Sequence, residues 1–151
     1  MRVLVLIDTF IGGGGGAERL AGAIAVHLPP ERYEVDVCTT PTPPDDTLAT
    51  ALRRSRVVHV DIARSGRFDL LAFRRLIRIL RRERIDVLHA HMFGSNLWGT
   101  LFGRLCRVPI VVAHGHSWSY VGHPVRRVLH RGVIPVTPIP SSPSRAPAAI
   151  A

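Results

Sequence analysis

Apolar residues in this sequence occur in short runs, and helical periodicity fills most of the segments between them. Helices are predicted over Ala17–Leu28, Phe68–Glu83 and Ser95–Cys106, with a short helix before the third strand. Five runs are apolar enough to form strands buried on both faces: Arg2–Asp8, Tyr33–Thr39, Val57–Ile62, Ile85–His89 and Pro109–Ala113. This alternation predicts an α/β fold with a doubly wound, Rossmann-like parallel sheet.

The last part of the chain has a different character. Residues 132–151 contain five prolines, one charged residue and no periodicity. Proline cannot continue a helix or a central strand, so we expect one domain at residues 1–131 and a disordered tail at residues 132–151. The change follows a helix start at Pro124–His130, and a frameshift or truncation of a longer coding sequence would leave such a pattern.

Arginine alone supplies the positive charge of the chain. The 151 residues carry a formal net charge of +9 and include no lysine. A GC-rich genome favours arginine codons, so the high charge is weak evidence for nucleic-acid binding, and we expect no nucleic-acid partner. Cys38 and Cys106 lie in apolar segments without metal-type spacing and are predicted to be small core residues.

The sequence predicts a cytoplasmic protein with one strongly basic helix. The N-terminal apolar run Val3–Ile7 is too short to cross a bilayer, and no signal-peptide pattern follows it. The helix at Phe68–Glu83 has an apolar side of Leu70, Phe73, Leu76, Ile77 and Leu80, opposite a basic side of Arg74, Arg75, Arg78, Arg81 and Arg82. That basic side is either a solvated outer face or a peripheral contact with anionic lipid at the inner face of the membrane.

Three polar or glycine-rich segments follow strands one, four and five. They are the glycine run at Gly12–Gly16, the segment "HAHMFGSN" at His89–Asn96, and the segment "HGHSW" at His114–Trp118. In a sheet with strand order 3-2-1-4-5 these strands are neighbours. Ligands of open parallel sheets bind at the carboxyl ends of the strands, so we expect the three segments to form one site.

The glycine run suits a backbone cradle for an anion. Glycines let backbone N–H groups approach a phosphate or carboxylate, and the following helix directs its positive dipole end toward the same anion. No Gly-Lys-Ser/Thr follows, so this is not a P-loop. Strand two ends in "VCTT" without the acid that would hold a ribose, which argues against a nicotinamide cofactor. A flexible linker remains the alternative.

Two pairs of histidines close strands four and five. His89 and His91 are two residues apart, as are His114 and His116, so each pair would point to one side of an extended segment. Three interpretations remain open: contact with a polar ligand, a transition-metal site, or a structural role. No acid lies within either motif, and the nearest, Asp86, is placed inside strand four.

The segments "IDTFIGGGGGAERL" and "RIDVLHAHMFGSNLWGTLFGRLCRVPIVVAHGHSW" resemble the N-terminal domain of retaining glycosyltransferases with the GT-B fold, the family 4 group. The first matches that family's Gly-Gly-Ala-Glu-Arg segment. The second matches its Asp-Val-Val-His-x-His sequence, helix, Val-Pro and strand ending in His-x-His. The similarity spans about residues 1–131, and the order of its motifs is more specific than any one of them.

The resemblance implies a role for each candidate residue. Gly13, Gly14, Gly15 and Gly16 would approach the diphosphate of a nucleotide-sugar donor. His89, His91 and Asn96 would line the acceptor side, and His114 and His116 would lie near the transferred sugar as candidate catalytic residues. The acceptor would be a cell-envelope or polysaccharide glycan or a lipid-linked sugar.

The resemblance also implies that the chain is one half of an enzyme. GT-B enzymes pair two Rossmann-like domains, and the donor-binding residues belong to the second, so we expect negligible transfer by this chain alone. No metal cofactor is expected. Two alternatives stay open: a metal-dependent hydrolase using His89, His91, His114 and His116, and a non-catalytic remnant that binds polyanions or membranes.

Overall fold

The computed structural model of the chain describes residues 1–8, 15–40, 58–62 and 69–115. Within them the strands are β1 (Arg2–Ile7), β2 (Glu34–Thr39), β3 (Val58–Asp61), β4 (Val87–His91) and β5 (Ile110–His114). The helices are α1 (Gly16–His27), α2 (Leu70–Arg82) and α3 (Phe93–Leu105). The predicted order of these elements is confirmed, with every end within two residues. The predicted short helix before β3 and the predicted tail lie outside the described residues.

All five strands are parallel and form one sheet. Their order is β3-β2-β1-β4-β5, so the strand order reverses between β1 and β4. The chain therefore has the predicted Rossmann-like architecture. The place where ligands collect in such sheets is the carboxyl edge beside this reversal.

The two faces of the sheet carry two separate hydrophobic clusters. On β1, Leu4 and Leu6 pack on the face that α2 and α3 cover. Val3, Val5 and Ile7 point to the opposite face, where α1 packs through Ala21 and Ala25. Side chains alternate between faces along a strand, so covering both faces requires the nearly continuous apolar runs that the sequence shows.

Helix α2 is amphipathic, as predicted. Asp69 caps its first turn by accepting hydrogen bonds from the backbone N–H groups of Leu71 and Ala72 at 3.0 and 3.1 Å. The predicted basic side is exposed at Arg74, Arg75, Arg78, Arg81 and Arg82. Leu70 was predicted on the buried side, and this is wrong: its exposed fraction is 74% because it is the first helical residue and lies beyond the packed stripe.

Helix α3 lies unusually close to the sheet because glycines face it. A Cβ atom at Gly103 would lie 2.9 Å from Cγ2 of Val111 and 3.0 Å from Cδ2 of Leu88. One at Gly99 would lie 3.0 Å from a methyl group of Leu6. Across the described parts of the chain, no helix combines the length and apolar character needed to cross a bilayer.

Candidate functional site

The carboxyl ends of β1, β4 and β5 meet at one edge of the sheet. In the strand register, His91 of β4 pairs with Ile7 of β1 on one side and with His114 of β5 on the other. Asp8 follows directly after β1. The sequence therefore brings together, at the predicted edge, residues from three segments that are far apart along the chain.

Asp8 joins the end of β1 to the start of α3. Its Oδ2 atom accepts a hydrogen bond from the backbone N–H of Gly94 at 2.9 Å, and its Oδ1 atom accepts one from the hydroxyl of Ser95 at 2.8 Å. The first N–H groups of a helix have no partner within the helix, so the carboxylate satisfies one of them and complements the positive end of the helix dipole. Asp8 is a positioning residue for this edge.

Gly94 is required for this contact. A Cβ atom at position 94 would lie 2.7 Å from both carboxylate oxygens of Asp8, which is closer than real side chains approach. Because Gly94 has no side chain, the first turn of α3 can lie in direct contact with the carboxylate of Asp8. The "GSN" sequence at Gly94–Asn96 supplies a close approach, a hydroxyl donor and an amide in three consecutive residues.

Met92, between β4 and α3, has a strained backbone. Its φ is 70° and its ψ is 166°, a combination that is almost confined to glycine. Such a conformation costs about 1–3 kcal/mol and persists only where the surroundings enforce it. Here it turns the chain sharply after His91, so that α3 can begin two residues before the predicted start at Ser95.

His89, His91 and His114 form one compact group, which we call the histidine cluster. The ring centroids of His89 and His91 are 4.2 Å apart, and the ring of His114 lies 5.8 and 5.4 Å from them, respectively. One ring nitrogen from each residue lies within 4.8 Å of the other two. His91 is fully buried, and the other two are half-buried.

The histidine cluster lies on the α1 side of the sheet. Residues paired across parallel strands point to the same face, and His91 pairs with Ile7, which packs against α1. The cluster and the start of α1 at Gly15 and Gly16 therefore lie on the same side of the sheet. Strand β4 was predicted to end at His89, and this is wrong, because it continues to His91 in full register with β1.

Asn96 holds the end of β5 from the other side of the sheet. Its side-chain N–H donates to the backbone carbonyl of His114 at 3.0 Å. The side chain is buried on the sheet side of α3, and its Oδ1 atom has no hydrogen-bond partner among the described residues. Asn96 thus fixes the backbone that carries one ring of the histidine cluster.

Of the glycine run, Gly15 and Gly16 lie within the described residues, while Gly13 and Gly14 lie outside them. Gly15 is the N-cap of α1, with φ −62° and ψ 175°, so any residue could adopt its conformation. A Cβ atom at Gly16 would meet no atom of the described residues within 4 Å. Glu18 lies nearby, with a carboxylate oxygen 3.1 Å from the Cβ position of Gly15.

A comparison with protein families agrees with this arrangement. Residues 14–138, which are most of the chain, match the model described as Glycosyltransferase Family 4. The chain belongs to glycosyltransferase family 4. The predicted resemblance is confirmed, and the segment at the carboxyl edge of β4 and β5 falls inside the matched region.

Two solved structures share the fold of this chain. HepE (Alr3699) from Anabaena in complex with UDP matches with a TM-score of 0.62 and 18% identity, over 88% of this chain and 36% of that chain. MurG from Acinetobacter baumannii matches with a TM-score of 0.61 and 19% identity, over 87% of this chain and 39% of that chain. The family 4 chain thus spans less than half the length of either protein. No curated protein sequence gave a significant match.

These similarities confirm the predicted fold, a Rossmann-like half of a GT-B glycosyltransferase. Among the candidate residues of the family 4 chain, His89, His91, His114 and Asn96 meet at one edge. His116 lies outside the described residues. Sequence analysis missed Asp8 as a site residue; its position immediately after β1, next to the glycine run, was the available signal.

Among the described residues, four acids contact Arg2 at the opposite, amino edge of the sheet. Arg2 forms ion pairs there with Glu34, Asp36 and Glu83 at 3.3, 3.5 and 2.6 Å. Burial raises the pKa of the Asp36 carboxyl, and the Arg2 guanidinium only partly opposes this because two further acids share its charge. Asp86 accepts a hydrogen bond from the backbone N–H of Arg2 at 2.7 Å. Strand β4 begins at Val87, so Asp86 immediately precedes it, and its prediction as a residue inside the strand is wrong.

Proposed function

We propose that this chain forms the acceptor-side half of a glycosyltransferase that moves a sugar from a nucleotide-sugar donor to an envelope or polysaccharide acceptor. The observation that carries the proposal is the convergence of the α1 start and the histidine cluster on one side of the carboxyl edge. In a family 4 domain this edge is where a donor and an acceptor would meet.

Each wall of the proposed site has a chemical role. No described residue lies within 4 Å of a Cβ position at Gly16, and the backbone N–H groups of this helix start suit the donor diphosphate. His89 and His91 would contact hydroxyl groups of the acceptor, since imidazoles both donate and accept hydrogen bonds. His114, with His116, would contact the transferred sugar, where an imidazole can stabilise developing charge.

The identity of the donor is supported by one of the similar structures. HepE from Anabaena was solved in complex with UDP and, separately, with UDP and glucose. A uridine-diphosphate sugar is therefore the donor class we propose. Retention of anomeric configuration is proposed from the family resemblance, and GT-B chemistry of this kind needs no bound metal.

The proposed acceptor is glycan or lipid-linked, and the basic side of α2 would hold the protein at the inner face of the membrane. That side exposes five arginines, and Leu70 and Leu71 are exposed at the start of the same helix. Each basic residue near an anionic bilayer contributes about 1 kcal/mol to binding, and exposed leucines add apolar contact. We infer a cytoplasmic protein with peripheral membrane contact.

We further propose that this chain alone transfers sugar negligibly. The donor nucleotide would be bound mainly by a second domain, and transfer requires both substrates to be held together. A transfer assay with a radiolabelled UDP-sugar and the purified chain should give no product above the protein-free control. Measurable turnover would contradict this part of the proposal.

Binding of the diphosphate tests the proposed site itself. In two-dimensional NMR spectra of the chain, UDP should shift the amide signals of Gly15 and Gly16, with millimolar affinity because the backbone of a single helix start supplies the contacts. Uridine, which lacks the diphosphate, should leave these signals unchanged. UDP shifts that are absent, or equal to those of uridine, would refute the assignment of the α1 start to the donor diphosphate.

Experiments on the same purified chain distinguish the proposed function from its two alternatives. A hydrolase would require a carboxylate as general base beside any metal-bound water, and among the described residues no carboxylate belongs to the histidine cluster. A non-catalytic remnant would bind anionic liposomes in a salt-sensitive manner without any response to UDP.

A further inference from the structure

The histidine cluster has the composition of a metal site as well as that of a ligand-contact surface. Its three side chains come from two neighbouring strands: His89 and His91 lie two residues apart on β4, and His114 pairs directly with His91. One nitrogen from each ring already lies within 4.8 Å of the others. Three imidazoles so placed are a known ligand set for zinc.

The distances are close to those of a bound ion. In a tetrahedral zinc site with Zn–N bonds of about 2.05 Å, the ligand nitrogens lie about 3.4 Å apart. Each imidazole nitrogen would have to move inward by less than about 1 Å, which side-chain rotations of about 10–15° achieve. Such rotations are well below the departures of about 30° at which rotamer strain becomes marked.

We propose that His89, His91 and His114 form a binding site for one transition-metal dication, and Zn²⁺ is the ion used to test it. The three imidazoles would coordinate the ion, and water would be its fourth ligand. The proposal rests on the geometry of the histidine cluster. A bound ion would occupy the imidazole nitrogens that the proposed transferase function assigns to the acceptor and the transferred sugar, so metal and these substrates would compete for the cluster.

The chemistry of the ligand set determines which ions it accepts. All three ligands are imidazoles, which suit Zn²⁺, Co²⁺, Ni²⁺ and Cu²⁺. Mg²⁺ and Ca²⁺ require oxygen ligands, and within residues 1–8, 15–40, 58–62 and 69–115 no carboxylate belongs to the group. A tenfold excess of Mg²⁺ should therefore not displace bound Zn²⁺.

The surroundings of the site hold the ligands in place. The strand ladder fixes the backbone of all three residues, since β4 pairs with β1 and β5 throughout. Asn96 adds a hydrogen bond to the carbonyl of His114. Only side-chain torsions are left to adjust, so the entropy lost on metal binding is small compared with that of a site on a mobile loop.

The first experiment measures Zn²⁺ binding to chelator-treated chain by equilibrium dialysis. We expect one Zn²⁺ per chain, and weaker binding at mildly acidic pH because protons and Zn²⁺ compete for the same nitrogens. His89→Gln and His114→Gln should each weaken binding at least about tenfold, as loss of a supporting residue already does. His27→Gln is the matched control: this exposed histidine on α1 lies outside the cluster and should bind as the unchanged chain does.

A second measurement needs no substitution and covers the case in which a variant fails to fold. In ¹H–¹⁵N spectra that detect imidazole nitrogens, Zn²⁺ should shift the ring signals of His89, His91 and His114 together and at one equivalent. Absence of binding, or shifts confined to other histidines, would overturn the proposal. Equal binding by the folded cluster variants and the control would overturn it as well. Neither result would bear on UDP binding at Gly15 and Gly16, so the two proposals fail separately.

Discussion

Replacement of Asp8 by alanine should loosen the start of α3 and lower the stability of the whole domain. The carboxylate accepts one hydrogen bond from the backbone of Gly94 and one from the hydroxyl of Ser95. Ser95 is 1% exposed, so in Asp8→Ala its hydroxyl cannot simply turn to solvent. Both donors would be left unsatisfied at the first turn of the helix.

The expected loss follows from these contacts. A helix-capping side chain contributes about 0.5–2 kcal/mol, and an anion near a helix N-terminus adds about 0.3–1 kcal/mol. A buried hydroxyl that loses its partner costs about 1–3 kcal/mol. These terms overlap, so we expect Asp8→Ala to lower the free energy of unfolding by about 2–4 kcal/mol, which for a chain of this size lowers Tm by about 5–12 °C.

Urea unfolding followed by circular dichroism measures this loss, with Glu31→Ala as the control. Glu31 is an exposed acid in a surface turn, and its removal should change stability by less than about 0.5 kcal/mol. The double variant of Asp8→Ala with Ser95→Ala should be less destabilised than the sum of the single variants, because they share a hydrogen bond. A loss below about 0.5 kcal/mol for Asp8→Ala, or strict additivity, would refute this role for Asp8.

Three further predictions concern packing and charge. Gly94→Ala should destabilise the chain, because its Cβ would lie 2.7 Å from both oxygens of Asp8, and the loss should shrink when Asp8→Ala is also present. Gly103→Ala should be less stable than Gly16→Ala by about 1–3 kcal/mol, since the first overpacks the sheet and the second meets open space. The raised pKa of Asp36 contributes stability that is full below pH 3.8 and is lost as the pH rises through the raised value. Relative to the unchanged chain, Asp36→Asn should therefore gain stability as the pH rises from 3.8 through the raised pKa of Asp36.

Urea unfolding measures all three, and each has a result that would contradict it. For Gly94→Ala, the contrary result is a loss of unfolding free energy that is equally large in the presence of Asp8→Ala. For Gly103→Ala, it is a stability equal to that of Gly16→Ala, because both changes alter helix propensity and only one alters packing. For Asp36→Asn, a stability difference that moves in favour of the unchanged chain as the pH rises would show that the Arg2 ion pair outweighs burial.

The layered fold could be predicted because its strands are buried on both faces. A strand such as β1 must then be apolar at every position, and such runs stand out against helical periodicity. Strand β4 was placed two residues early because His89 and His91 interrupt its apolar run. Nothing in a local pattern distinguishes a buried histidine inside a strand from one in the loop that follows it.

Local spacing and the predicted strand order together placed the histidines at one edge of the sheet. The two-residue spacing put His89 and His91 on one face, and the strand order put His114 on the neighbouring strand. The direct pairing of His114 with His91 depends on the cross-strand register, which the sequence does not reveal. The contact between Asp8 and Ser95 links residues 87 positions apart, and no periodicity reveals such a pair. The strained φ of Met92 likewise arises from the tertiary structure that surrounds it.

The close approach between Gly94 and Asp8 has a consequence for sequence variation within the family. A side chain at position 94 is excluded by the carboxylate at position 8, and the carboxylate in turn is useful only while a helix start lies against it. The two positions should therefore change together: family members with a larger residue at the position of Gly94 should have a smaller or uncharged residue at the position of Asp8. This pair would then appear among the covarying positions of an alignment, although neither residue is predicted to touch a substrate.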